Sequence, residues 1–250
     1  MKTEQERLFK KLNEKFVRAF ATYHLLEDGD HVLVALSGGK DSLCLLEMLG
    51  KRARIDKPQF RVDAIHVRME DVSYESSTDY LEQFCKELNV PLHIVTTSTQ
   101  ASRHLPDDKE EEPQREKPPC VLCSWNRRKQ IFNLAQELGC NKIALGHHLD
   151  DIVQTTFMNL CFQGRFESMT PLLKMKKMPL ALIRPLCLCE EKDIAEYAEL
   201  RGYQPQLKHC PHEDTTNRAN MKHIVEQLEE ISPILKNSVW KALRRMKDEG

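Results

Sequence analysis

Residues 31–50 read HVLVALSGGKDSLCLLEMLG, and this stretch limits the fold more than any other part of the chain. The apolar run that opens it stops abruptly at Ser37-Gly38-Gly39-Lys40-Asp41-Ser42. A second apolar run, spaced as in a helix, begins at once. A short apolar run that ends in glycines predicts a buried strand. A strand that passes through a tight glycine turn into a helix predicts a parallel crossover. The alternation then repeats. FRVDAIHV (60–67), PLHIVTT (91–97), NKIALG (141–146) and LALIRPL (180–186) read as strands. Ser42 to Gly50, DYLEQFCKEL (79–88), RRKQIFNLAQEL (127–138) and EKDIAEYAELRG (191–202) read as helices, the last with a glycine stop. The expected class is α/β, a parallel sheet with helices on both faces. Ligands of such sheets bind outside the carboxyl ends of the strands.

The chain has 250 residues, enough for one large α/β domain or one domain with an appendage. Leu8, Leu12, Phe16 and Phe20 recur every fourth residue and predict an amphipathic helix within residues 1–29. One α/β domain is expected over 30–205 and a helical segment over 206–250, with a break near Ser232-Pro233. The proline- and charge-rich stretch LPDDKEEEPQREKPP (105–119) predicts an acidic surface loop. No apolar run is long enough for a membrane span, and the N-terminal residues lack the apolar core of a signal peptide, so a cytoplasmic protein with no membrane partner is expected.

Net charge is −1, but its distribution is uneven. Residues 107–117 carry −3, whereas residues 118–189 carry +5. A locally basic face can hold phosphates on a neutral chain; ordinary variation of a solvated surface accounts for the charge equally well. Arg127, Arg128, Lys129, Arg165 and Lys174 are the candidate phosphate contacts of such a face, contacts to RNA if the partner is a nucleic acid.

Three constellations carry chemistry. In Ser37–Ser42, backbone N–H groups and the start of a helix converge where a phosphate could sit. Gly38 and Gly39 permit close approach, Lys40 adds a cation, and Ser37 and Ser42 add hydroxyls. The loop is not a Walker A loop, because Val34 stands where that pattern needs glycine and Asp41 where it needs Ser or Thr. The second constellation is ALGHHLDDIVQT (144–155), again after a strand. Gly146 suits a turn, and Asp150 and Asp151 begin a helix, where they could hold Mg²⁺ or simply cap it. The third is Cys120-Val121-Leu122-Cys123, with Cys210 downstream. Such a pair serves redox chemistry or half of a metal site. His209 and His212 flank Cys210 and allow a Cys₃His Zn²⁺ site. Cys44, Cys85, Cys140 and Cys161 fall in apolar segments and read as core residues, and Cys187 and Cys189 as structural.

SGGKDS after a buried strand resembles the PP-loop of the ATP pyrophosphatase superfamily. With CVLCSWNRRK, GHHLDD, GRFESMTPLLKM, IRPL and the Cys-Pro at 210–211, the chain resembles the tRNA 2-thiocytidine biosynthesis (TtcA) family over most of its length. The resemblance implies a Rossmann-like, adenine nucleotide alpha hydrolase-like PP-loop domain. It implies an enzyme that splits ATP to AMP and pyrophosphate and adenylates the C2 oxygen of cytidine 32 in the tRNA anticodon loop, where sulfur then replaces oxygen. The implied cofactors are ATP, Mg²⁺ and a [4Fe–4S] cluster on Cys120, Cys123 and Cys210. Lys40, Asp41 and Asp151 carry over as catalytic residues. Ser37, Gly38, Gly39, Ser42, His66, Gly146 and Asp150 carry over as nucleotide contacts. The partners are tRNA and a sulfur donor such as a cysteine desulfurase, and a homodimer is compatible. Rival expectations are lysidine synthetase-like chemistry, thiolation of another base, and a metal- and nucleotide-binding module without turnover.

Overall fold

The computed structural model describes residues 2–74, 77–99, 119–209 and 217–248. The elements follow in the order α1 (Lys2–Tyr23), β1 (His31–Ala35), α2 (Lys40–Arg52), β2 (Arg61–Met69), β3 (Ser73–Tyr74), α3 (Asp79–Leu88), β4 (Leu92–Thr97), α4 (Pro119–Glu137), β5 (Lys142–Ala144), α5 (Leu149–Gln163), β6 (Leu172–Lys174), β7 (Ala181–Ile183), α6 (Glu191–Arg201), β8 (Lys208–His209), α7 (Asn217–Ile231) and α8 (Leu235–Asp248). Six strands form one mostly parallel sheet in the order β4-β2-β1-β5-β7-β6, with the helices around it. The chain runs from β1 out to β4 on one side and then returns to β5 on the other side of β1. The carboxyl end of β1 is therefore the point where strand order reverses, the position at which sheets of this class take ligands. No helix among the described residues is long and apolar enough to cross a membrane.

Contacts divide the chain into two compact units. One comprises residues 27–143 and 204–210. Here β1 pairs in parallel with β2, Val32 opposite Val62, and β2 with β4, Ile65 opposite His93. The strands are rich in β-branched residues, and Val32, Leu33, Val34, Ala64 and Ile65 are buried, as a sheet covered on both faces requires. Helix α2 contributes Leu43, Leu45, Leu46 and Leu49 to the same core. At the amino ends of the strands the side chains are polar instead. Asp63 of β2 accepts hydrogen bonds from Nε2 of His31 on β1 at 2.7 Å and from Nε2 of His93 on β4 at 2.9 Å. Burial alone would raise its pKa, but the bonds to the two imidazoles and their charge outweigh burial and hold it below the ordinary carboxylate value.

The other unit comprises residues 1–26, 144–203 and 211–250. Its helices pack around Leu149, Val153, Met221, Val225 and Val239, with Phe157, Trp240 and Leu243 at the margin. In α1, Leu8, Leu12 and Phe16 are buried at the predicted spacing, and Phe20 meets Phe16 edge to face. Lys11 and Lys15 of α1 bind Asp193 of α6 at 2.7 and 3.2 Å. Gly202 ends α6 in the left-handed conformation, as its place after the last apolar turn predicts. The expected break at Ser232-Pro233 separates α7 from α8.

Besides the short antiparallel pair of β3 and β8, which the sequence reading lacked, two elements differ from it. Helix α4 begins at Pro119 rather than Arg127, so both cysteines of the CxxC lie inside it. Proline at a first helical position loses no hydrogen bond, and the proline-rich stretch before it masked that start. β6 is an antiparallel edge strand, with Leu172 opposite Ile183, on a sheet expected to be parallel throughout.

The Asp63 bridge has a testable consequence. A carboxylate whose folded pKa is depressed stabilises the fold above its unfolded value, about 4, and the gain is lost as pH falls through the folded pKa. Acid unfolding of the Asp63→Asn variant, followed by circular dichroism, is expected to lose part of the wild-type dependence on pH below about 4.

Candidate functional site

The backbone of β1 is paired with β2 up to Leu36, whose N–H donates to the Ile65 carbonyl at 2.9 Å. From Leu43, whose N–H donates to the Gly39 carbonyl at 3.1 Å, it is helical. The residues between must satisfy their amides some other way. Ser42, buried at 4% exposure, does much of this. Its Oγ accepts from the Gly38 N–H at 3.2 Å and from Ser37 Oγ at 3.1 Å, and donates to the Gly39 carbonyl at 2.9 Å. The Gly39 N–H reaches Ser37 Oγ at a long 3.4 Å. Gly38 has φ +85°, a conformation open to glycine, and Gly39 is the extended N-cap of α2 with no side-chain cap. Lys40 Nζ lies 3.2 Å from Asp41 Oδ2. The result is a turn of amides, hydroxyls and one ammonium group at a helix start, the chemistry that binds phosphate oxygens.

His66 stands beside this turn. Its Nδ1 lies 2.8 Å from the carbonyl of Leu36, the residue before the loop. A carbonyl only accepts, so Nδ1 carries the proton and Nε2 is the bare nitrogen. Burial, then the nearby positive charges of Arg127 and Arg68, push the His66 pKa down against the pull of the Leu36 carbonyl, so the ring is neutral near pH 7. His66 is 1% exposed, and its Nε2 has no hydrogen-bond partner among the described residues. It is a buried acceptor suited to a donor on a ligand.

Cys120 and Cys123 are one helical turn apart at the start of α4, Cys120 exposed and Cys123 half-buried. Residues three apart share a helix face, so the two sulfurs suit a single metal group. The helix is pinned by Asn126, buried at 1% exposure, whose Nδ2 donates to the Ser98 carbonyl at 2.9 Å and the Thr99 carbonyl at 3.2 Å beyond β4. Sequence reasoning missed Asn126, although its spacing of three from Cys123 was a usable signal. Arg128 and Lys129 are exposed on the same helix. Cys210, His212 and the acidic loop lie outside the described residues, as does the His209 side chain.

The GHHLDD segment belongs to the other unit. His148 caps α5: its Nδ1 accepts from the Asp151 N–H at 3.4 Å, and the Asp151 carboxylate accepts from the His148 N–H at 3.0 Å, a reciprocal capping box. Asp151 also pairs with Arg218. Asp150, 6% exposed, pairs with Lys236 and accepts from the Glu191 N–H at 2.7 Å. Burial would raise the Asp150 pKa, but hydrogen bonds from His148, Lys236 and Glu191 hold it far below the usual carboxylate range. His147 is pushed down to about 4 by burial, with Arg184 and Arg218 adding to the shift and Asp151 opposing it. Arg184 Nε meets His147 Nδ1 at 3.3 Å, and its guanidinium donates to the Thr170 carbonyl at 2.6 Å. Both aspartates thus already have protein partners. Lys236 and Arg218 lie far along the chain from them, so no motif announced these pairs. Gly146 precedes this cap, and Arg165 and Lys174 of the same unit are exposed, Arg165 beside Glu167.

Removing these carboxylates is expected to show in stability without any metal present. Asp151→Ala should cost about 1 kcal/mol, as for a lost cap. Asp150→Ala should cost about 2 kcal/mol, less than a fully orphaned buried charge because Glu229 still pairs Lys236. Urea unfolding in chelator measures both.

The chain matches the PP-loop domain family over residues 2–225. The tRNA-cytidine(32) 2-sulfurtransferase of Shewanella oneidensis is 35% identical over 248 residues, covering 94% of this chain and 76% of that protein. The protein of the same name from Acinetobacter baumannii is 34% identical over 243 residues, covering 96% of this chain and 77% of its own. Among solved structures, the U34-tRNA thiolase NcsA from Methanococcus maripaludis with its [4Fe-4S] cluster is similar at a TM-score of 0.74 and 25% identity, covering 97% of this chain and 79% of that one. The phosphate-binding turn after β1 and this similarity along nearly the whole chain lead to one conclusion: the chain belongs to the PP-loop domain family and, within it, to the tRNA-cytidine 2-sulfurtransferase family.

Proposed function

We propose that this chain is an ATP-dependent sulfurtransferase that makes 2-thiocytidine at position 32 of tRNA. The observation that carries this reading is the presence, in one compact unit, of a phosphate-binding turn and a paired-cysteine helix start. The amides and hydroxyls of residues 37–42 and the Lys40 ammonium bind the phosphates of ATP. Neutral His66 accepts a hydrogen bond from the nucleotide. Asp41, in the first turn of α2, is the carboxylate of this unit that would hold Mg²⁺. Asp150 and Asp151 keep structural roles in this reading, because protein donors already occupy them.

The C2 oxygen of cytosine attacks the α-phosphorus. The bond from that phosphorus to the bridging oxygen breaks, and pyrophosphate leaves. A thiol reductant supplies two electrons to the persulfide of a donor such as a cysteine desulfurase and frees sulfide, which then adds at C2, and the C2–O bond breaks with AMP as the leaving group. Lys40 and the loop amides favour the first step by offsetting charge that grows on the phosphate oxygens. Cys120, exposed, and Cys123, half-buried, lie on one helix face and suit a [4Fe–4S] cluster, with Cys210 as the third ligand. When bound by three cysteines, such a cluster supplies an iron with an open position for sulfur. Arg127, Arg128 and Lys129 on the same helix are the proposed tRNA phosphate contacts.

The test is anaerobic reconstitution, visible absorption, and nucleoside analysis of tRNA from a deletion strain incubated with the protein, ATP and a sulfide source. Wild type should absorb in the visible and yield 2-thiocytidine. A colourless, zinc-loaded protein, or 2-thiouridine as the product, would refute the assignment in its metal or in its base. Cys123→Ser should lose the absorption and the product together. Lys40→Ala should keep the absorption and lose thiolation by on the order of 10²-fold, the scale for one group that stabilises developing charge. Full thiolation by Cys123→Ser would overturn the cysteine role.

A further inference from the structure

Gln206 lies far downstream of the phosphate-binding turn but is bound to it. Its backbone N–H donates to the Gly38 carbonyl at 2.9 Å. Its side-chain methylenes cover the Gly38 α-carbon: a Cβ added there would lie 2.5 Å from Gln206 Cγ and 2.9 Å from its Cβ. The amide end is anchored in turn, with Nε2 donating to the Ser77 carbonyl at 2.6 Å. That carbonyl can only accept, which fixes the orientation of the amide and leaves Oε1 as the buried atom without a partner among the described residues.

The peptide between Gly38 and Gly39 is planar and trans, so its C=O and N–H point in opposite directions. Holding the Gly38 oxygen against Gln206 therefore also sets the direction of the Gly39 N–H. Among the described residues that N–H has only the long 3.4 Å contact to Ser37 Oγ, and an anionic oxygen would be a far better acceptor. Gly38 at φ +85° has wide torsional freedom, and nothing inside residues 37–42 holds its carbonyl. The latch has to come from elsewhere in the chain.

We propose that Gln206 is a positioning residue for phosphate binding: it locks the Gly38–Gly39 peptide from outside the loop so that the Gly39 N–H faces a bound pyrophosphate or the β-phosphate of a nucleotide. The inference rests on the phosphate-binding reading of residues 37–42 and is independent of thiolation. Gln206→Pro removes the backbone donor and the amide. Gln206→Ala keeps the backbone donor and the Cβ but removes the amide and Cγ, the nearest part of the cover over Gly38. Gln206→Met keeps that cover and lacks only the Ser77 bond.

Calorimetric titration with inorganic pyrophosphate, and separately with adenosine, tests it, with the melting temperature recorded for each variant. Affinity for pyrophosphate is expected to fall about threefold in Gln206→Ala and at least about tenfold in Gln206→Pro, the range for one displaced hydrogen bond. Gln206→Met should recover most of the alanine loss, and adenosine affinity should not change. Wild-type pyrophosphate affinity in both Gln206→Ala and Gln206→Pro overturns the proposal, as does a parallel loss for adenosine, which would mark a general structural role. If Gln206→Pro does not fold, the difference between alanine and methionine decides: equal pyrophosphate affinity in those two variants and wild type refutes it. Wild-type protein that binds no pyrophosphate refutes the phosphate-binding reading itself, which separates the two failures.

Discussion

Every backbone N–H near a protein interior needs an acceptor, and the end of β1 is where this chain runs out of regular ones. Sheet bonding stops at Leu36 and helix bonding starts at Leu43. The intervening amides turn inward on two serine hydroxyls, which are weak, neutral acceptors. An anion with several oxygens replaces them with stronger bonds at no cost in chain order. The rest of the unit keeps that substitution available. His66, held on β2 by its parallel register with β1, ties off the Leu36 carbonyl, and Gln206, anchored at Ser77, ties off the Gly38 carbonyl. A ligand site of this kind is a local shortage of acceptors that the fold preserves.

The two units use charge differently. In the unit of helices, Asp193 with Lys11 and Lys15, Asp151 with Arg218, and Asp150 with Lys236 form pairs across elements far apart in sequence. In the sheet unit, the Asp63 carboxylate bridges three strands at their amino ends, away from the phosphate-binding turn. Paired carboxylates thus appear on the stabilising side of the molecule as well as in its chemistry. A motif of two adjacent aspartates does not by itself separate the two roles.

That ambiguity marks the limit of what the sequence made legible. The parallel sheet, the turn at residues 37–42 and the helix boundaries at Gly202 and Pro233 were readable, because periodicity and glycine or proline placement act over a few residues. The start of α4 was not, because Pro118 and Pro119 look like loop residues until the second is recognised as a first helical position. β6 has three residues beside a basic stretch and no alternation long enough to detect. The partners of Asp150 and of Gly38 are set by tertiary contact between segments that no local pattern connects. Lys236 and Gln206 could not have been found from spacing.

The cysteines, nine in the whole sequence, form a graded series of nucleophiles. Burial raises the Cys85, Cys187 and Cys189 thiols to about 12 and Cys140 to about 11. At neutral pH a thiol of that kind is ionised in roughly one molecule per 10⁵. Cys44 is enclosed in the core, facing Met48. Among the described residues this leaves Cys120, Cys123 and Cys161 within reach of a soluble electrophile. The fold therefore acts as a protecting group. Alkylation or a sulfur-bearing reagent would be steered to the start of α4 and to one position on α5, and the core thiols would be spared for as long as the chain stays folded.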